Sequence, residues 1–560
     1  MRWLLRIMDT EQSGLHQAAL LLGGSALASQ ILALLRDRLL AHTFGAGREL
    51  DLYYTAFRIP DFIFVAVGSF LAVTVLIPVL LERERVSGPE AVQKMLGTLL
   101  VFFALSMLAV TVLVLPLIPH ILPWLAPGFS PTELVTLRHL TYVLLLSPLF
   151  LGLSNLFGAV TQARRRFLTY ALAPLLYNLG IILGVIGLYP IFGILGLVYG
   201  VVLGALAHFL IQLPVVVKAG MFPRFAGMLS WQELKPIVSR SLPRTLALGS
   251  NQLVLVFILA IASTMTVGSI AVFNLAYNLQ SVPLALVGVS YSIAAFPTLA
   301  RFWSGGNHTE FLSSASRALR HIIFWSVPIA ALFIVLRAHL VRTILGSGSF
   351  TWQDTRLTAA VLAVFTISVV CQSIIQLVDR AYYAVGKTKE PVIAKLLGSA
   401  LAIAATFILV SWVELGPIWF NGLTNILHIA NVTGREVVVL PLAFSIGTLA
   451  NIFFLWYLFD GSAPRQVVYD VGRTLGDSLL AAFFAGTAAY LVIRFTAPYV
   501  DLQFAPWVFA QGLLAGISGI VACIVAFSFL RSKELGELWG ALHRRMSKMV
   551  PVQPGPEDMK

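Results

Sequence analysis

Long apolar stretches separated by short polar segments recur along the whole chain. A helix needs about 20 apolar residues to cross the hydrocarbon core of a bilayer, and fourteen stretches reach that length. They lie near residues 17–43, 52–81, 95–117, 134–161, 167–189, 191–217, 245–266, 269–299, 319–345, 357–385, 391–413, 435–459, 474–498 and 506–530. The pattern therefore predicts an all-α integral membrane fold with 14 transmembrane helices.

The composition agrees with a membrane protein. Hydrophobic residues make up 58% of the 560 positions and charged residues 11%, whereas a soluble domain carries about 25% charged residues. The two cysteines, Cys371 and Cys523, lie in apolar runs, and the ten histidines show no metal-binding spacing. The sequence contains no P-loop, no serine–histidine–acid set and no paired carboxylates. We therefore expect a transporter that is not an enzyme, with no metal site and no cofactor.

Basic residues are distributed unevenly between the two sides of the predicted membrane. If the N-terminus is cytoplasmic, 28 of the 38 Lys and Arg residues fall on the inner side, as the positive-inside rule requires. We therefore predict that both termini are cytoplasmic. The net charge of +13 then reflects membrane topology. We expect no nucleic-acid partner and a monomeric protein.

Short sequence matches about 220 residues apart indicate two related halves, which are typical of transporters. The matches pair Ala56-Phe57-Arg58 with Ala276-Tyr277-Asn278, Pro78-Val79-Leu80 with Pro297-Thr298-Leu299, and Arg164-Arg165-Arg166 with Lys387-Thr388-Lys389. We predict two pseudo-symmetric six-helix lobes followed by two C-terminal helices. The proposed boundaries are an N-lobe over 1–217, a cytoplasmic linker over 218–244, a C-lobe over 245–459, the last two helices over 460–531 and a cytoplasmic tail over 532–560.

The first two spans carry charged residues, which are expensive in lipid and usually functional. Arg36 lies about 27 Å along the first helix. It either snorkels to the outer interface or binds an anionic head group in a cavity. Arg36 and Asp37 are adjacent and cannot share a helix face, so we do not expect Asp37 to neutralise Arg36. Arg58 lies two residues before Pro60, where a proline favours a bend.

Two candidate roles follow for these charged residues. Arginine binds phosphate oxygens through its planar fork, so Arg36 and Arg58 suit a pocket for an amphiphile that carries a phosphate. Asp51 lies seven residues before Arg58 on the same helix face. A pairing of Asp51 with Arg38 or Arg48 would close the outer side. We therefore assign Asp37, Asp51 and Arg38 to a gate or ion-pair set.

The second half carries uncharged polar residues in its spans. We expect interhelical hydrogen bonds from these residues, which include Asn251, Gln252, Asn274, Asn278 and Gln280. The seventh and eleventh spans contain no Asp or Glu for a sodium site. The driving force therefore stays open, and it is either a coupling ion or the membrane potential.

The stretch from Arg36 to Pro60 resembles the first two helices of the MurJ (MviN) family of lipid II flippases. Further similarity lies at 155–178, 296–299 and 380–391. The resemblance implies a fourteen-helix member of the multidrug/oligosaccharidyl-lipid/polysaccharide (MOP) exporter superfamily in the bacterial plasma membrane. Such a protein would carry lipid II from the inner to the outer leaflet by alternating access. The helices over 460–531 would form a groove for the polyprenyl tail.

By this resemblance, Arg36, Arg58, Gln30 and Asn278 would line the head-group cavity. Members of the family carry arginines at the positions of Gln30 and Asn278, so this cavity holds fewer cations. Two alternatives therefore stay open. The chain would be a flippase for another polyprenyl-linked saccharide, or a drug or cation antiporter of the MATE type. Lipid II, or a similar polyprenyl-diphosphate saccharide, and membrane lipids are the expected partners.

Overall fold

The computed structural model describes residues 15–68, 73–164, 166–224, 231–458, 465–501 and 504–540. These ranges are helical almost throughout and contain no β-strand. The α-helices in chain order are α1 (Leu15–Phe44), α2 (Arg48–Ala56), α3 (Arg58–Ile63), α4 (Val73–Val114), α5 (Ile118–Leu125), α6 (Pro131–Leu144), α7 (Leu146–Ala163), α8 (Phe167–Leu183), α9 (Tyr189–Phe192), α10 (Ile194–Leu210), α11 (Leu213–Lys218), α12 (Trp231–Ser263), α13 (Ser269–Pro283), α14 (Ser290–Ser304), α15 (His308–Ile344), α16 (Trp352–Val385), α17 (Lys389–Leu415), α18 (Pro417–Ile426), α19 (Val439–Tyr457), α20 (Arg465–Thr496) and α21 (Ala505–Phe529).

Twelve helical segments among the described residues are long and apolar enough to cross a membrane. They are Val79–Val114, Pro131–Ala163, Phe167–Phe192, Ile194–Lys218, Thr245–Ser263, Ser269–Ser304, His308–Ile344, Trp352–Val385, Lys389–Val413, Arg435–Tyr457, Val467–Tyr499 and Ala505–Phe529. These segments coincide with the third to fourteenth predicted spans. The first predicted span coincides with α1, and the second begins in α2 and α3 and continues past 69–72, outside the described residues. The predicted all-α membrane fold is therefore confirmed, and the structure is compatible with fourteen spans.

The predicted internal repeat recurs in the positions of structural details. The described residues contain three single π-helical turns, and two of them, Phe64–Gly68 and Leu284–Val289, begin 220 positions apart. A reciprocal N-terminal cap joins Ser130 with Glu133 at the start of α6. The same arrangement joins Thr351 with Asp354 before α16, 221 positions later. A hydrophobic pattern alone does not dictate these details, so the two halves share local geometry as well as sequence.

The chain folds as two compact units. The first unit contains residues 1–279, 344–365 and 388–458, and the second contains residues 280–343, 366–387 and 459–560. The first unit combines residues from both sequence halves, whereas the second contains residues from the second half only. The lobe, linker and tail boundaries given above stay a prediction.

Glycines bring two helices of the first unit into backbone contact. Gly180 and Gly184 follow a four-residue spacing at the end of α8, and Gly200 and Gly204 repeat it on α10. A Cβ atom at Gly184 would lie 2.9 Å from the Gly200 Cα atom, and one at Gly204 would lie 2.6 Å from the Tyr177 carbonyl oxygen. Small residues at this spacing let membrane helices pack closely. The spacing is visible in the sequence, and our sequence analysis missed it.

In the second unit, Glu534 binds the start of the C-terminal tail to two membrane helices. Its carboxylate is 3% exposed and accepts hydrogen bonds from Arg320 Nη1 on α15 at 3.0 Å and from Thr474 Oγ1 on α20 at 2.9 Å. Ser532 Oγ donates a third at 2.8 Å. Burial raises the pKa of this carboxyl, but the hydrogen bonds and the Arg320 charge outweigh burial and hold the pKa below its ordinary value. The buried carboxylate of Glu534 therefore joins the start of the tail to α15 and α20.

Replacing Glu534 by glutamine should lower the stability of the solubilised protein by about 2 kcal/mol, because the half-buried Arg320 loses its nearest charged partner. Thermal unfolding in detergent measures the effect. The matched control is Glu537→Gln, since Glu537 contacts Arg320 at 3.9 Å with a side chain that is 43% exposed. Because the pKa of Glu534 is lowered on folding, its contribution is present above the unfolded pKa and is lost as pH falls through the folded pKa. Equal losses in both variants would contradict this role.

Candidate functional site

Two predicted cavity residues meet in one buried polar cluster of the first unit. Arg36, near the end of α1, donates from Nη1 to Asn178 Oδ1 on α8 at 3.0 Å. Asp37 Oδ2 accepts a hydrogen bond at 3.0 Å from Asn278 Nδ2 on α13. The Arg36 side chain is 19% exposed, and Asp37 is buried. These four residues, Arg36, Asp37, Asn178 and Asn278, form what we call the Arg36 cluster, and it joins three helices.

The prediction that Asp37 would not neutralise Arg36 is wrong. Arg36 Nη2 lies 2.8 Å from Asp37 Oδ1, and Arg36 Nε donates to the same oxygen at 2.9 Å. The spacing argument considered helix faces only, whereas the long arginine side chain bends back to its neighbour. Contacts with described residues use three of the five N–H groups of Arg36, so two remain for a ligand.

Arg58 forms a second polar contact between helices of the same unit. It is the first residue of α3 and is 8% exposed. Its Nη2 donates to Asn274 Oδ1 on α13 at 3.1 Å, and its Nε donates to the Tyr54 carbonyl oxygen at 3.2 Å. The interhelical hydrogen bonds predicted for Asn274 and Asn278 are therefore confirmed. Gln280 also accepts an interhelical bond, from Gln372 Nε2 at 3.2 Å in the second unit.

Asp51 binds the N-terminal end of α13. Its Oδ2 accepts from the Gly268 amide at 2.7 Å, and its Oδ1 accepts from the Ala271 amide at 2.8 Å. A carboxylate is stabilised here by the free amides and the positive end of the helix dipole. Gly268 has a φ of 92°, and a Cβ atom at this position would clash with the Ala46 carbonyl oxygen. The 2% exposed carboxylate therefore fixes the contact between α2 and α13.

Replacing Asp51 by asparagine should destabilise the protein by about 1–2 kcal/mol, because the amide keeps one acceptor oxygen and loses the charge. Thermal unfolding of the solubilised protein measures this loss. Glu49→Gln is the control on the same helix. Its exposed carboxylate accepts from the Tyr189 hydroxyl at 3.1 Å, so its loss should cost little. An unchanged unfolding temperature in Asp51→Asn would refute the cap.

The remaining predicted site residues lie nearby in the same unit. Arg38 Nη1 donates to the Ile344 carbonyl oxygen at 3.2 Å, and Arg48 Nε lies 2.9 Å from Glu133 Oε1. Gln30 is half-buried on α1, six residues before Arg36. In the structure, Asp51 therefore accepts hydrogen bonds from backbone amides, and Arg48 pairs with the carboxylate of Glu133. The gate roles given to Asp37, Asp51 and Arg38 stay a prediction.

Sequence reasoning missed two residues of this region. Asn178 holds Arg36 and also donates from Nδ2 to the Pro174 carbonyl oxygen at 3.1 Å. Tyr54 on α2 interacts electrostatically with Arg36, Asp37 and Arg58. Its buried hydroxyl has no hydrogen-bond partner among the described residues. Asn178 belongs to a stretch that carries the family resemblance, but nothing in the local pattern of Tyr54 distinguishes it from a core aromatic residue.

Comparison with known proteins identifies the family. A family model described as "Lipid II flippase MurJ" matches residues 40–510, most of the chain. The chain belongs to the MurJ family. The resemblance drawn from Arg36 to Pro60 is therefore confirmed.

MurJ relatives and solved structures agree with this assignment. The chain is 28% identical over 418 residues to a probable lipid II flippase MurJ of Bdellovibrio bacteriovorus, covering 71% of this chain and 78% of the relative. It is 26% identical over 388 residues to the lipid II flippase MurJ of Burkholderia cenocepacia, covering 68% and 75%.

Among solved structures, a lipid II flippase MurJ in an inward closed conformation matches with a TM-score of 0.71 and 22% identity, over 91% of this chain and 99% of that one. An inward-facing MATE family transporter of the MOP superfamily matches with a TM-score of 0.62 and 16% identity, over 80% and 96%. At these identities the structural likenesses show the fold alone. They place this chain within the architecture that MurJ and MATE transporters share.

Proposed function

We propose that this protein is a lipid II flippase that moves the undecaprenyl-linked peptidoglycan precursor from the inner to the outer leaflet by alternating access. The observation that carries the proposal is the match of the MurJ family model to residues 40–510. The named relatives and the solved MurJ structure support it over comparable lengths.

The geometry of the Arg36 cluster supports an anionic head group as the ligand. Arg36 retains two N–H groups, and a guanidinium with two available N–H groups binds phosphate oxygens well. Arg58 adds a second guanidinium group, which donates to the Tyr54 carbonyl oxygen at 3.2 Å. Charges inside a membrane span are costly, so the presence of Arg36 and Arg58 in the spans favours a role in binding. The head group would lie against these two arginines, with Asn278 and Gln30 as neutral neighbours.

Several further properties belong to the same proposal. The protein would lie in the bacterial plasma membrane with both termini in the cytoplasm and would act as a monomer, without a nucleic-acid partner. It would catalyse no covalent reaction and need no cofactor. A coupling ion or the membrane potential would supply the driving force. Helices α20 and α21 would provide the groove for the polyprenyl tail.

Two assays, one of growth and one of transport, together test the proposal. The protein is expressed in a bacterium depleted of its own MurJ, and growth is scored. Purified protein in proteoliposomes is then offered fluorescent lipid II, another undecaprenyl-linked saccharide, or ethidium as a MATE-type substrate. We expect restored growth and transport of lipid II. Transport of the second saccharide or of ethidium without lipid II would replace the proposal by the corresponding alternative.

A further inference from the structure

The hydroxyl of Tyr54 is buried without a hydrogen-bond partner among the described residues. Tyr54 is 8% exposed, and its ring packs edge-to-face on Tyr53 at a centroid distance of 5.4 Å. A buried hydroxyl that makes no hydrogen bond costs free energy relative to phenylalanine. Two nearby tyrosines satisfy theirs, since Tyr177 hydrogen-bonds to Ser147 and Tyr277 to Asn251. The unpaired hydroxyl of Tyr54 therefore suggests a partner that the chain does not supply.

The surroundings of Tyr54 determine the chemistry of that partner. Tyr54 interacts electrostatically with Arg36 and Arg58, which can only donate hydrogen bonds. Asp37, which pairs with Arg36, accepts from Arg36 on one oxygen and from Asn278 on the other. A phenol donor beside two guanidinium groups, with no acceptor among the described residues, suits an anion.

We propose that the Tyr54 hydroxyl binds a phosphate oxygen of the lipid-linked head group, together with Arg36 and Arg58. The proposal rests on the proposed function and adds a neutral donor to a site that holds few cations. Tyr54 lies on α2, and Arg58 follows it by four residues and donates from Nε to its backbone carbonyl oxygen, so the Arg58 side chain lies next to this turn of the helix. The hydroxyl is unpaired among the described residues and is paired when the head group binds.

Tyr54→Phe tests this proposal, because it removes only the hydroxyl. Binding of lipid II, of undecaprenyl diphosphate and of inorganic pyrophosphate is titrated in detergent, and thermal unfolding is measured on the same samples. We expect the half-saturating concentrations of lipid II and undecaprenyl diphosphate to rise about tenfold, the effect of one lost hydrogen bond to a charged group. The unfolding temperature should stay unchanged or rise.

The matched control is Tyr277→Phe, which removes a hydroxyl that already bonds to Asn251. This variant should unfold at a lower temperature with unchanged lipid affinity. A lower unfolding temperature with unchanged affinity in Tyr54→Phe would overturn the proposal. Weaker binding of lipid II alone would assign the hydroxyl to the saccharide or peptide, and pyrophosphate binding as tight as lipid binding would assign the site to free phosphate. Wild-type protein that binds undecaprenyl diphosphate but not lipid II would refute the proposed substrate and leave the Tyr54 contact standing.

Discussion

Replacing Arg36 by alanine is expected to lower the rate of lipid II transport by about two orders of magnitude per amount of folded protein in the membrane. The two N–H groups that remain on Arg36 would bind the phosphate bidentately, and charge-assisted hydrogen bonds of this kind each contribute about 1.5–3 kcal/mol. Asp37 would keep its bond from Asn278 but would lose its cationic partner, so the rate is expressed per amount of folded protein in the membrane. Transport of fluorescent lipid II in proteoliposomes and growth of a MurJ-depleted strain measure the loss.

Two variants calibrate this result. Arg36→Lys keeps the charge and loses the planar fork, so its activity should lie between those of wild type and Arg36→Ala. Arg356→Ala removes an arginine that bonds to Asn431 Oδ1 at 2.8 Å, far along the chain from the cluster, and should transport normally. Full activity of Arg36→Ala would show that Arg36 is an anchor at the membrane interface and that the head group binds elsewhere.

The positions of the membrane helices were predictable because lipid imposes a strong length and polarity requirement on each span. All twelve segments found in the structure coincide with predicted ones. The internal repeat stays a prediction that rests on three short sequence matches. The π turns at Phe64–Gly68 and Leu284–Val289 now extend the same offset to backbone geometry. Hydropathy therefore predicted the order and type of the elements.

The contacts of the site were less predictable, because they depend on tertiary structure. Asp51 is bonded by the amides of Gly268 and Ala271, which become free donors only because α13 begins there. Asn178 meets Arg36 across 142 positions of sequence. The Arg36–Asp37 ion pair depends on the path of one flexible side chain. The charged residues of the site were identifiable from sequence, while their partners required the structure.

The second large effect is expected at the glycine contact between α8 and α10, where Gly200→Val should prevent stable folding. A Cβ atom at Gly200 would lie 2.7 Å from the Gly180 carbonyl oxygen and would also clash with the Gly184 Cα atom. Both neighbours are backbone atoms, so a whole helix must shift to make room. Overpacking of this kind costs about 3 kcal/mol or more. The amount of folded protein in the membrane should fall about tenfold, as measured by fluorescence-detected chromatography of a tagged protein.

Gly249→Val provides the matched control for this effect. Gly249 also lies in a membrane helix, α12, but a Cβ atom there meets no described atom within 4 Å. The same added side chain should therefore leave the amount of folded protein near the wild-type level. Equal amounts of folded protein in both variants would show that the close contact between α8 and α10 is not required for folding. If only Gly200→Val is lost, close backbone approach at this crossing is required for the first unit to form.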